Sequence, residues 1–339
     1  MNICVTGSTG MVGNNLVRHL LAVHGQDIKI KCLYRPKTFK HPQIFENLPV
    51  ELVPGDMNDQ SSLVRLMEGC SEAYNVAGLV GFNDSVRRED FYNVNVLGSL
   101  NFARAAAQTG TIRRIVQISS ATNIPYDHGT AVKPVPTLWR DYNRTKNLGE
   151  HLASEECRKE GIEIVTVSPT GVIGRYDWKC ATSISKTIQY LSKGKFPIFP
   201  KDGGYDFVGA MDIARVCERA MAIGKPNTNY LVASGRLEIP QLLDMILKAS
   251  SGRKPLVYAP SKFVLALGYM KDFVQKYVFP LNNYFPMMKL FGRETVMFLR
   301  EDRRYDASQT TRELGVEFEN VETVFQRQLE WMKKVNLIK

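Results

Sequence analysis

The first thirteen residues constrain the fold of this chain more than any other stretch. A short apolar run leads into glycines at positions 7, 10 and 13, and an apolar helical pattern follows from Leu16 to Leu21. A strand, a glycine turn and a helix in this order form an anion site, because the first turn of a helix presents free N–H groups and the positive end of its dipole. Gly7 would close the turn, Gly10 would let backbone approach a pyrophosphate, and Gly13 would let the helix pack on the strand. The GxxGxxG spacing in this position predicts a nucleotide site.

The length and the cysteines limit the class of protein. A chain of 339 residues can bury a full core. No charged and apolar leader precedes the first strand, and the chain has no run of about 18 apolar residues, so we expect a cytoplasmic protein. The six cysteines are scattered, without a CxxC pair or histidine spacing suited to zinc. We therefore expect buried thiols in a reducing compartment and no metal site.

The positive net charge of the chain favours an anionic partner or an anionic surface. The formal net charge is +10, and the stretch from Arg253 to Arg304 holds ten Lys or Arg residues against four Asp or Glu residues. The sequence has no recognisable nucleic-acid module and no repeat of aromatic and basic residues. We therefore expect a small-molecule substrate rather than nucleic acid.

Strand-like and helix-like segments alternate along the chain. This alternation predicts an α/β fold with a Rossmann-type doubly wound parallel sheet and a smaller, mostly helical C-terminal substrate lobe. We place the nucleotide-binding domain at 1–174 and the first part of the substrate lobe at 175–204. We expect 205–233 to return to the nucleotide domain, and 234–339 to form the rest of the lobe, a lid and a closing helix.

The end of the second predicted strand favours NADP over NAD. An acidic residue there would bind a ribose 2′-hydroxyl, whereas a basic one suits a 2′-phosphate. This chain has Arg35, with Lys37 close behind. After the third strand, Asp56 either accepts from the adenine amino group or caps the helix near 61–67.

The chemistry is predicted between the fifth and sixth strands. Ser120 lies at the carboxyl end of a strand, where open α/β sheets place ligands. Tyr142 and Lys146 follow at a spacing that puts both on one face of a helix. A free phenol has a pKa of about 10, and a nearby ammonium with an oxidised nicotinamide would lower it. Tyr142 could then protonate a carbonyl oxygen as hydride arrives, while Ser120 holds the same oxygen.

Together with these three residues, several motifs give the chain a family resemblance. They are Thr6-Gly7-Ser8-Thr9-Gly10-Met11-Val12-Gly13, Asp56 with Met57, Val76-Ala77-Gly78, Asn95, and Pro169-Thr170-Gly171-Val172. With them the chain resembles the extended short-chain dehydrogenase/reductases. The resemblance implies that Tyr142 is the acid/base, that Lys146 binds the nicotinamide ribose and that Ser120 polarises the substrate. It also implies that the other motif residues bind the cofactor, with Asn95 open to a purely structural reading.

Departures from the family patterns limit the reactions that we expect this chain to catalyse. Ser119-Ser120-Ala121 lacks the Thr-Asp-Glu triplet usual in sugar-nucleotide 4,6-dehydratases. Epimerases of this family tend to carry Arg and Asn where Ser168 and Gly171 stand, which puts a UDP-sugar substrate in doubt. The chain looks closer to the dihydroflavonol-4-reductase-like and 3β-hydroxysteroid-dehydrogenase-like branch. Arg175 departs from the proline usual there, and it faces either the pocket or solvent.

We therefore predict an NAD(P)H-dependent oxidoreductase that reduces a ketone or aldehyde, or oxidises the alcohol, of a bulky and largely apolar substrate. The alternative enzyme is a nucleotide-sugar 4-epimerase with bound NAD, which would show no net redox. The alternative of another class is a non-catalytic NADP-sensing regulator.

Two further partners are predicted. The resemblance suggests a homodimer formed by the helices near 90–108 and 142–158. The apolar face of the first helix, with Leu97, Leu100 and Ala103, could instead be used on the sheet. The segment 262–298 is rich in aromatic residues and methionines, with Lys271 on the polar face of its helix. It is either a lid over the substrate or a lid that also contacts an anionic membrane surface.

Overall fold

Seven strands of the described residues form one parallel sheet. The computed structural model describes residues 1–80, 86–123, 140–194, 198–250, 257–277 and 304–338. The strands are β1 (Asn2–Thr6), β2 (Lys29–Tyr34), β3 (Val50–Pro54), β4 (Glu72–Asn75), β5 (Arg114–Ile118), β6 (Glu163–Pro169), β7 (Gly171–Ile173), β8 (Ile198–Pro200), β9 (Gly204–Gly209), β10 (Asn229–Val232), β11 (Gly235–Glu238) and β12 (Val257–Ala259). The order across the large sheet is β10-β6-β5-β4-β1-β2-β3, and all neighbours run parallel. The predicted doubly wound sheet is confirmed, and the strand order reverses between β1 and β4, where such sheets place their ligands.

Helices cover both faces of this sheet. They are α1 (Met11–His24), α2 (Gln60–Met67), α3 (Arg88–Phe91), α4 (Gly98–Thr109), α5 (Arg140–Lys159), α6 (Ser183–Ser192), α7 (Ala210–Ile223), α8 (Ile239–Ala249), α9 (Ser261–Tyr277), α10 (Ser308–Leu314) and α11 (Val321–Lys334). A π-helical turn at Tyr92–Leu97 joins α3 to α4. Such turns insert one residue into a helix and are frequent beside functional sites.

The helical periodicity of the sequence decides which side chains enter the two core layers. On one face, α1 and α7 pack together, with Leu16 and Val216 among the fully buried residues. On the other face, α2, α4 and α5 pack on the sheet around Leu66 and Phe102. Full burial of a side chain of this size contributes about 1.5–3 kcal/mol. Ala103 is also buried in this layer, so the apolar face of α4 is used at least partly inside the subunit.

The chain enters the substrate lobe at the end of β6. Only Thr170 separates β6 from β7, which starts a second sheet of order β11-β9-β7. Strands β8 and β12 form a third, two-stranded sheet. Helices α6, α8 and α11 pack around the aromatic core of this lobe, which includes Phe207, Phe325 and Trp331. The segment 205–233 is shared, because β9 lies in the second sheet whereas β10 pairs with β6 in the large one.

Asp59, rather than Asp56, caps α2. The Asp59 carboxylate accepts from the backbone N–H of Ser61 at 3.1 Å. The carboxylate of Asp56 accepts instead from the backbone N–H of Asn58 at 3.0 Å, in the turn before the helix. The alternative that Asp56 caps this helix is therefore wrong.

The buried carboxylate of Asp212 connects α7 with two distant segments of the chain. The helix begins after Gly209, so Asp212 lies in the first turn. Its buried carboxylate accepts from the Ser234 hydroxyl at 3.2 Å and from the backbone N–H of Glu319 at 3.3 Å. These bonds connect α7 with Ser234, which lies between β10 and β11, and with the segment that precedes α11.

Candidate active site

The glycine turn between β1 and α1 has no room for side chains. Gly7 has a φ of +67°, and a Cβ there would lie 2.7 Å from the backbone N of Ala77. A Cβ on Gly13 would lie 2.3 Å from the carbonyl oxygen of Gly7. The turn is closed by the Gly10 N–H, which donates to that same carbonyl at 2.9 Å. Gly7 and Gly13 are therefore required by the turn itself and by the packing of α1.

The N-terminus of α1 faces the cavity without a side-chain cap. Gly10 is the cap residue, and no side chain of the described residues bonds the first N–H groups of this helix. Met11, Val12 and Gly13 line the cavity at this point. Free N–H groups and the positive helix end suit a phosphate there.

The loop after β4 is held against the glycine turn by Thr6. The Thr6 hydroxyl donates to Asn75 Oδ1 at 2.9 Å and accepts from the backbone N–H groups of Val76 and Ala77 at 3.2 Å each. Thr6 is fully buried and does not line the cavity. Its role in this structure is to fix the loop that carries Val76 and Ala77 to the cavity wall.

Asn95 connects the same loop with α5. From the π-helical turn, its side chain accepts from the N–H of Leu79 at 2.8 Å and donates to the carbonyl of Leu79 at 3.1 Å. It also donates to the Thr145 hydroxyl at 3.3 Å. A Cβ on Gly149 would lie 1.9 Å from the Asn95 carbonyl oxygen, so α5 approaches this turn closely. Asn95 does not line the cavity, and its bonds position residues that do.

Ser120, Tyr142 and Lys146 line one cavity wall together. Ser120 follows β5, and Tyr142 and Lys146 lie one turn apart on α5. Ser120 lies close enough to Tyr142 to act on the pKa of its phenol through a side-chain hydrogen bond. Ser120 is also 2.8 Å from the hydroxyl of Thr122. The ammonium of Lys146 donates to the carbonyl oxygen of Ile118 at 2.7 Å.

The structure changes the expectation for the Tyr142 proton. Burial raises the pKa of Tyr142, and the hydrogen bond with Ser120 opposes that shift only in part. The predicted lowering of its pKa by a neighbouring ammonium is not seen in the protein alone. Tyr142 is therefore a phenol at neutral pH, which is the form that can donate a proton to a carbonyl oxygen.

Lys146 is a buried cation next to this phenol. Its side chain is 8% exposed, and burial lowers its pKa to about 8 while the nearby Glu150 raises it. Glu150 lies one helical turn further on α5, and it accepts from the Ser119 hydroxyl and, at 2.8 Å, from the Asn229 amide. We did not predict Glu150 as a site residue, although its spacing from Lys146 was a usable signal.

The other end of the cavity is basic. Arg35 follows β2 and lies 3.9 Å from the Asp56 carboxylate, and both side chains are about half exposed. Lys37 lies on a short exposed turn and does not line the cavity. Lys179, from the segment between β7 and α6, lines the cavity at this end, and its ammonium donates to the Thr9 hydroxyl at 3.1 Å. No local sequence signal pointed to Lys179, because its partner lies 170 residues earlier in the chain.

One cavity of about 850 Å³ joins these ends along the carboxyl edge of the large sheet. The predicted residues that line it are Gly7, Thr9, Gly10, Met11, Val12, Gly13, Arg35, Asp56, Met57, Val76, Ala77, Gly78, Ser120, Tyr142, Lys146, Pro169, Thr170, Gly171 and Val172. Beyond Tyr142 the wall is mainly apolar, with Val80 from the loop after β4 and Ile184, Phe199, Tyr205, Phe207, Ile239 and Leu242 from the substrate lobe. Arg175 is exposed, with its guanidinium 5.5 Å from the Tyr176 ring centre, and it is not among the lining residues.

Sequence comparison supplies the family. The sequence profile of the NAD-dependent epimerase/dehydratase family matches residues 3–233. The chain belongs to this family. Its members depend on a nicotinamide dinucleotide, and the glycine turn and the uncapped N-terminus of α1 fit the pyrophosphate of such a cofactor. The resemblance to extended short-chain dehydrogenase/reductases is confirmed.

Two relatives of this chain align over nearly its whole length. Sterol demethylase protein B from Methylococcus capsulatus is 28% identical over 348 residues, which cover 100% of both chains. A putative dihydroflavonol 4-reductase from Synechocystis is 28% identical, with 99% of this chain and 95% of that protein covered. The crystal structure of UDP-glucose 4-epimerase from Thermotoga maritima, solved with UDP-glucose, gives a TM-score of 0.74 at 16% identity, over 99% of this chain and 100% of that one. The last likeness shows the fold alone.

Other expectations concern cysteines, metals and membranes. All six cysteines are buried and free, as predicted. Within the residues that the structure describes, no group of three or more His, Cys, Asp or Glu could hold a metal ion. The helices in the same part of the chain are all too short or too polar to cross a bilayer.

Proposed function

We propose that this protein is an NADPH-dependent reductase of a ketone or aldehyde carried by a bulky, largely apolar molecule, or the reverse dehydrogenase. The observation that carries this proposal is that Ser120, Tyr142 and the buried Lys146 line the same cavity as the apolar residues of the substrate lobe. The bound dinucleotide would supply hydride to the carbonyl carbon or accept it from the alcohol.

The side chains of this protein handle the proton. In the reductive direction, Tyr142 donates its phenolic proton to the carbonyl oxygen, and the Ser120 hydroxyl donates a hydrogen bond to the same oxygen. The positive charge of Lys146 stabilises the phenolate that Tyr142 becomes. In the oxidative direction the phenolate accepts the proton of the alcohol. Because the pKa of Tyr142 is raised in the protein alone, the phenol is the form present at neutral pH, and this is the form that the reductive direction consumes.

The substrate class follows from the lobe side of the cavity. Phe199, Tyr205 and Phe207 are buried residues of β8 and β9, and all three line the wall beyond Tyr142. An aromatic and aliphatic wall of this kind binds an apolar body through its area, with few polar groups to fix orientation. The names of two relatives, a sterol demethylase protein B and a putative dihydroflavonol 4-reductase, agree with polycyclic substrates.

The test combines a panel of substrates with a variant that lacks only the hydroxyl of Tyr142. Purified protein would be incubated with NADPH and a steroid ketone, a dihydroflavonol, an aliphatic aldehyde or UDP-glucose, and NADPH oxidation would be followed by absorbance. With the best substrate, Tyr142→Phe should lower kcat at least about 100-fold and leave the Kd for NADPH nearly unchanged. Tyr92→Phe is the matched control, because Tyr92 is 44% exposed and lies outside the cavity lining.

Three outcomes would contradict the proposal. Normal turnover by Tyr142→Phe would remove Tyr142 from the mechanism. Conversion of UDP-glucose without net NADPH oxidation would identify an epimerase. Tight NADPH binding with no turnover of any compound in the panel would favour a non-catalytic regulator.

A further inference from the structure

Lys179 reaches across from the substrate lobe to the glycine turn. Its ammonium donates to the hydroxyl of Thr9 at 3.1 Å, and both residues line the cavity end that also contains Arg35. Thr9 lies between Gly7 and Gly10, where the turn passes the predicted phosphate site. A side chain from the second lobe therefore completes the wall of the nucleotide end.

The segment that carries Lys179 is rigidly built. The Asp177 carboxylate is 3% exposed and accepts from the N–H of Ala181 at 3.0 Å, and from the N–H and hydroxyl of Thr182 at 3.3 and 3.1 Å. Tyr176, which precedes Lys179 in the chain, and Cys180, which follows it directly, have positive φ values of 72° and 42°. Non-glycine residues adopt such conformations at a cost, and these often lie at ligand sites. The fold therefore fixes the backbone from which the exposed side chain of Lys179 extends.

Two cations converge at this end of the cavity. Partial burial and the positive charge of Arg35 both lower the pKa of Lys179, and the negative charge of Asp177 offsets them only in part. The Asp56 carboxylate lies 3.9 Å from Arg35, and both groups are too exposed for this pair to be strong. Two like charges on a cavity wall are stabilised when an anion lies between them.

We propose that Lys179 and Arg35 together bind the 2′-phosphate of NADP(H), so that the substrate lobe takes part in cofactor choice. The inference rests on the NADP preference of the function proposed above, and it assigns that preference partly to a residue outside the nucleotide domain. Arg35 approaches the phosphate from β2, and Lys179 approaches it from the opposite lobe. Thr9 orients the ammonium of Lys179 through its hydroxyl.

Binding measurements test this without turnover. Isothermal titration would give the Kd of NADP⁺, NAD⁺, 2′-AMP and 5′-AMP for the unaltered protein, Lys179→Gln and Arg35→Gln. Each substitution should weaken NADP⁺ and 2′-AMP by about 10- to 100-fold, the worth of a charge-assisted hydrogen bond, and change NAD⁺ and 5′-AMP less than about threefold. Lys179→Arg should keep most of the NADP⁺ affinity. Lys37→Gln is the matched control, since Lys37 does not line the cavity.

If Lys179→Gln lost equal affinity for NADP⁺ and for NAD⁺, Lys179 would bind the pyrophosphate, and its assignment to the 2′-phosphate would be overturned. Unchanged NADP⁺ affinity in Lys179→Gln, with an unchanged melting temperature, would also overturn it. The reductase proposal can fail separately, because it is tested by turnover with Tyr142→Phe and not by these affinities.

A second inference rests on the outward face of α9. Fourteen large apolar side chains are exposed in the described residues, and seven of them lie between Val257 and Tyr277. On α9 they are Phe263, Tyr269, Met270, Phe273 and Tyr277, which are 46–64% exposed. At 100° per residue these five positions occupy one continuous stripe of the helix. A clustered apolar patch of this kind is typical of an interaction surface.

The opposite face of α9 packs on the protein. Val264 and Lys271 are buried there, at 2% and 5% exposure. Lys271 lies on the face opposite the aromatic residues, as predicted, but that face is the one covered by the rest of the protein. The helix turns aromatic residues outward, so these side chains do not form the inner surface of a lid.

Helix α9 is attached to the apolar end of the cavity. The Asp202 carboxylate accepts from the backbone N–H of Ser261 at 2.6 Å and from its hydroxyl at 3.1 Å, at the start of α9. Asp202 follows β8, whose Phe199 lines the cavity. The exposed stripe and the wall that would contact an apolar substrate thus belong to adjoining elements.

From this face and the charge around it we infer that α9 docks on an anionic lipid surface. Aromatic rings and a methionine would enter the headgroup region, and the exposed Lys262 beside the stripe would stay among the phosphates. The sequence from Arg253 to Arg304 carries a surplus of six basic residues, and positive charge of this kind attracts anionic lipid. Residues 253–256 and 278–303 of this stretch lie outside the described part of the chain. A lipophilic substrate could then reach the cavity without crossing bulk water.

Vesicle co-sedimentation of the full chain tests the surface. The protein should pellet with phosphatidylcholine vesicles that contain phosphatidylserine, and much less with phosphatidylcholine alone or at about 0.5 M salt, where charge is screened. Met270→Ser with Phe273→Ser should lower the bound fraction at least about fivefold at unchanged melting temperature, because much of the buried apolar area is lost. Val23→Ser with Ile223→Ser is the control, since these side chains are similarly exposed, at 54% and 49%, away from α9.

Failure to bind anionic vesicles at low salt would overturn the inference. So would a concentration-dependent dimer that Met270→Ser with Phe273→Ser abolishes, because a second copy of the chain would then cover the stripe. Equal loss of vesicle binding in the control pair would show that the stripe has no special role.

Discussion

Burial of the Lys146 charge should destabilise the cofactor-free protein by an amount that depends on pH. The pKa of Lys146 is about 8 in the folded protein, against about 10.4 for an unperturbed lysine in the unfolded chain. At 1.36 kcal/mol for each pH unit, this difference corresponds to about 3 kcal/mol. Below pH 8 the side chain is charged in both states, and the whole penalty is present. Between pH 8 and about 10.4 the folded protein loses the proton first, so its free energy of unfolding rises by up to about 1.4 kcal/mol per pH unit.

The perturbation is Lys146→Met, which keeps the side-chain length and removes the titration. Urea unfolding of both proteins would be measured from pH 7 to 10.5, and the difference between their free energies would be plotted against pH. Relative to the variant, the unaltered protein should gain about 3 kcal/mol across this range. The other titrating groups cancel in this difference, and the loss of the hydrogen bond to Ile118 shifts it without changing its slope. Lys146→Met should also lose most of its turnover.

A surface lysine provides the control for this measurement. Lys248 is 76% exposed, and Lys248→Met should show no such slope. If the difference in the free energy of unfolding between the unaltered protein and Lys146→Met also did not change with pH, the reasoning would be refuted, because the ammonium would then be solvated in the folded protein. A slope of the opposite sign would mean that a negative group outweighs its burial.

Three further predictions concern the loops and the assembly. Gly13→Ala should lower the free energy of unfolding by about 1–3 kcal/mol in urea titrations, because its Cβ would meet the Gly7 carbonyl at 2.3 Å. Gly10→Ala, whose Cβ would make a tight contact of 3.3 Å with the same carbonyl, should cost less stability than Gly13→Ala and should weaken cofactor binding. Asn95→Ala should cost about 1–3 kcal/mol, since it leaves the N–H and carbonyl of Leu79 without their buried partner, and normal stability would contradict the positioning role. We propose a homodimer through the outer faces of α4 and α5, where Leu148 is 39% exposed. Light scattering should then show a dimer that Leu148→Glu dissociates, and a monomer at every concentration would refute it.

The parts of the site that depend on neighbouring residues could be predicted from the sequence. The glycine turn follows from local backbone geometry, and the spacing of Tyr142 and Lys146 follows from the helical repeat. The strand predicted to end beside Ser120 is observed as β5 at Arg114–Ile118. These features need only the local chain and its apolar periodicity.

Predictions failed where a choice depended on register or on distant packing. Asp56 and Asp59 both precede α2, and which of them caps the helix depends on backbone angles that the sequence does not display. For α9 the periodicity correctly separated two faces, but it could not show that the aromatic face points outward and that Lys271 is buried. Amphipathicity defines a stripe on a helix, whereas the rest of the fold decides which side of the helix is covered.

At the nucleotide end of the cavity, one basic residue could be predicted from the local chain and the other depends on distant packing. Arg35 follows β2 immediately, so the order of strands along the chain is enough to place it near a ribose. Lys179 reaches the same place only because β6 continues into β7, and because Asp177 then holds the next turn against the start of α6. Its contact with Thr9 spans 170 residues, and no periodicity or motif encodes a contact of that length. Under the proposal made above, a basic residue at the end of β2 is an incomplete predictor of cofactor choice in this chain, because the second cation comes from the lobe that also shapes the substrate pocket.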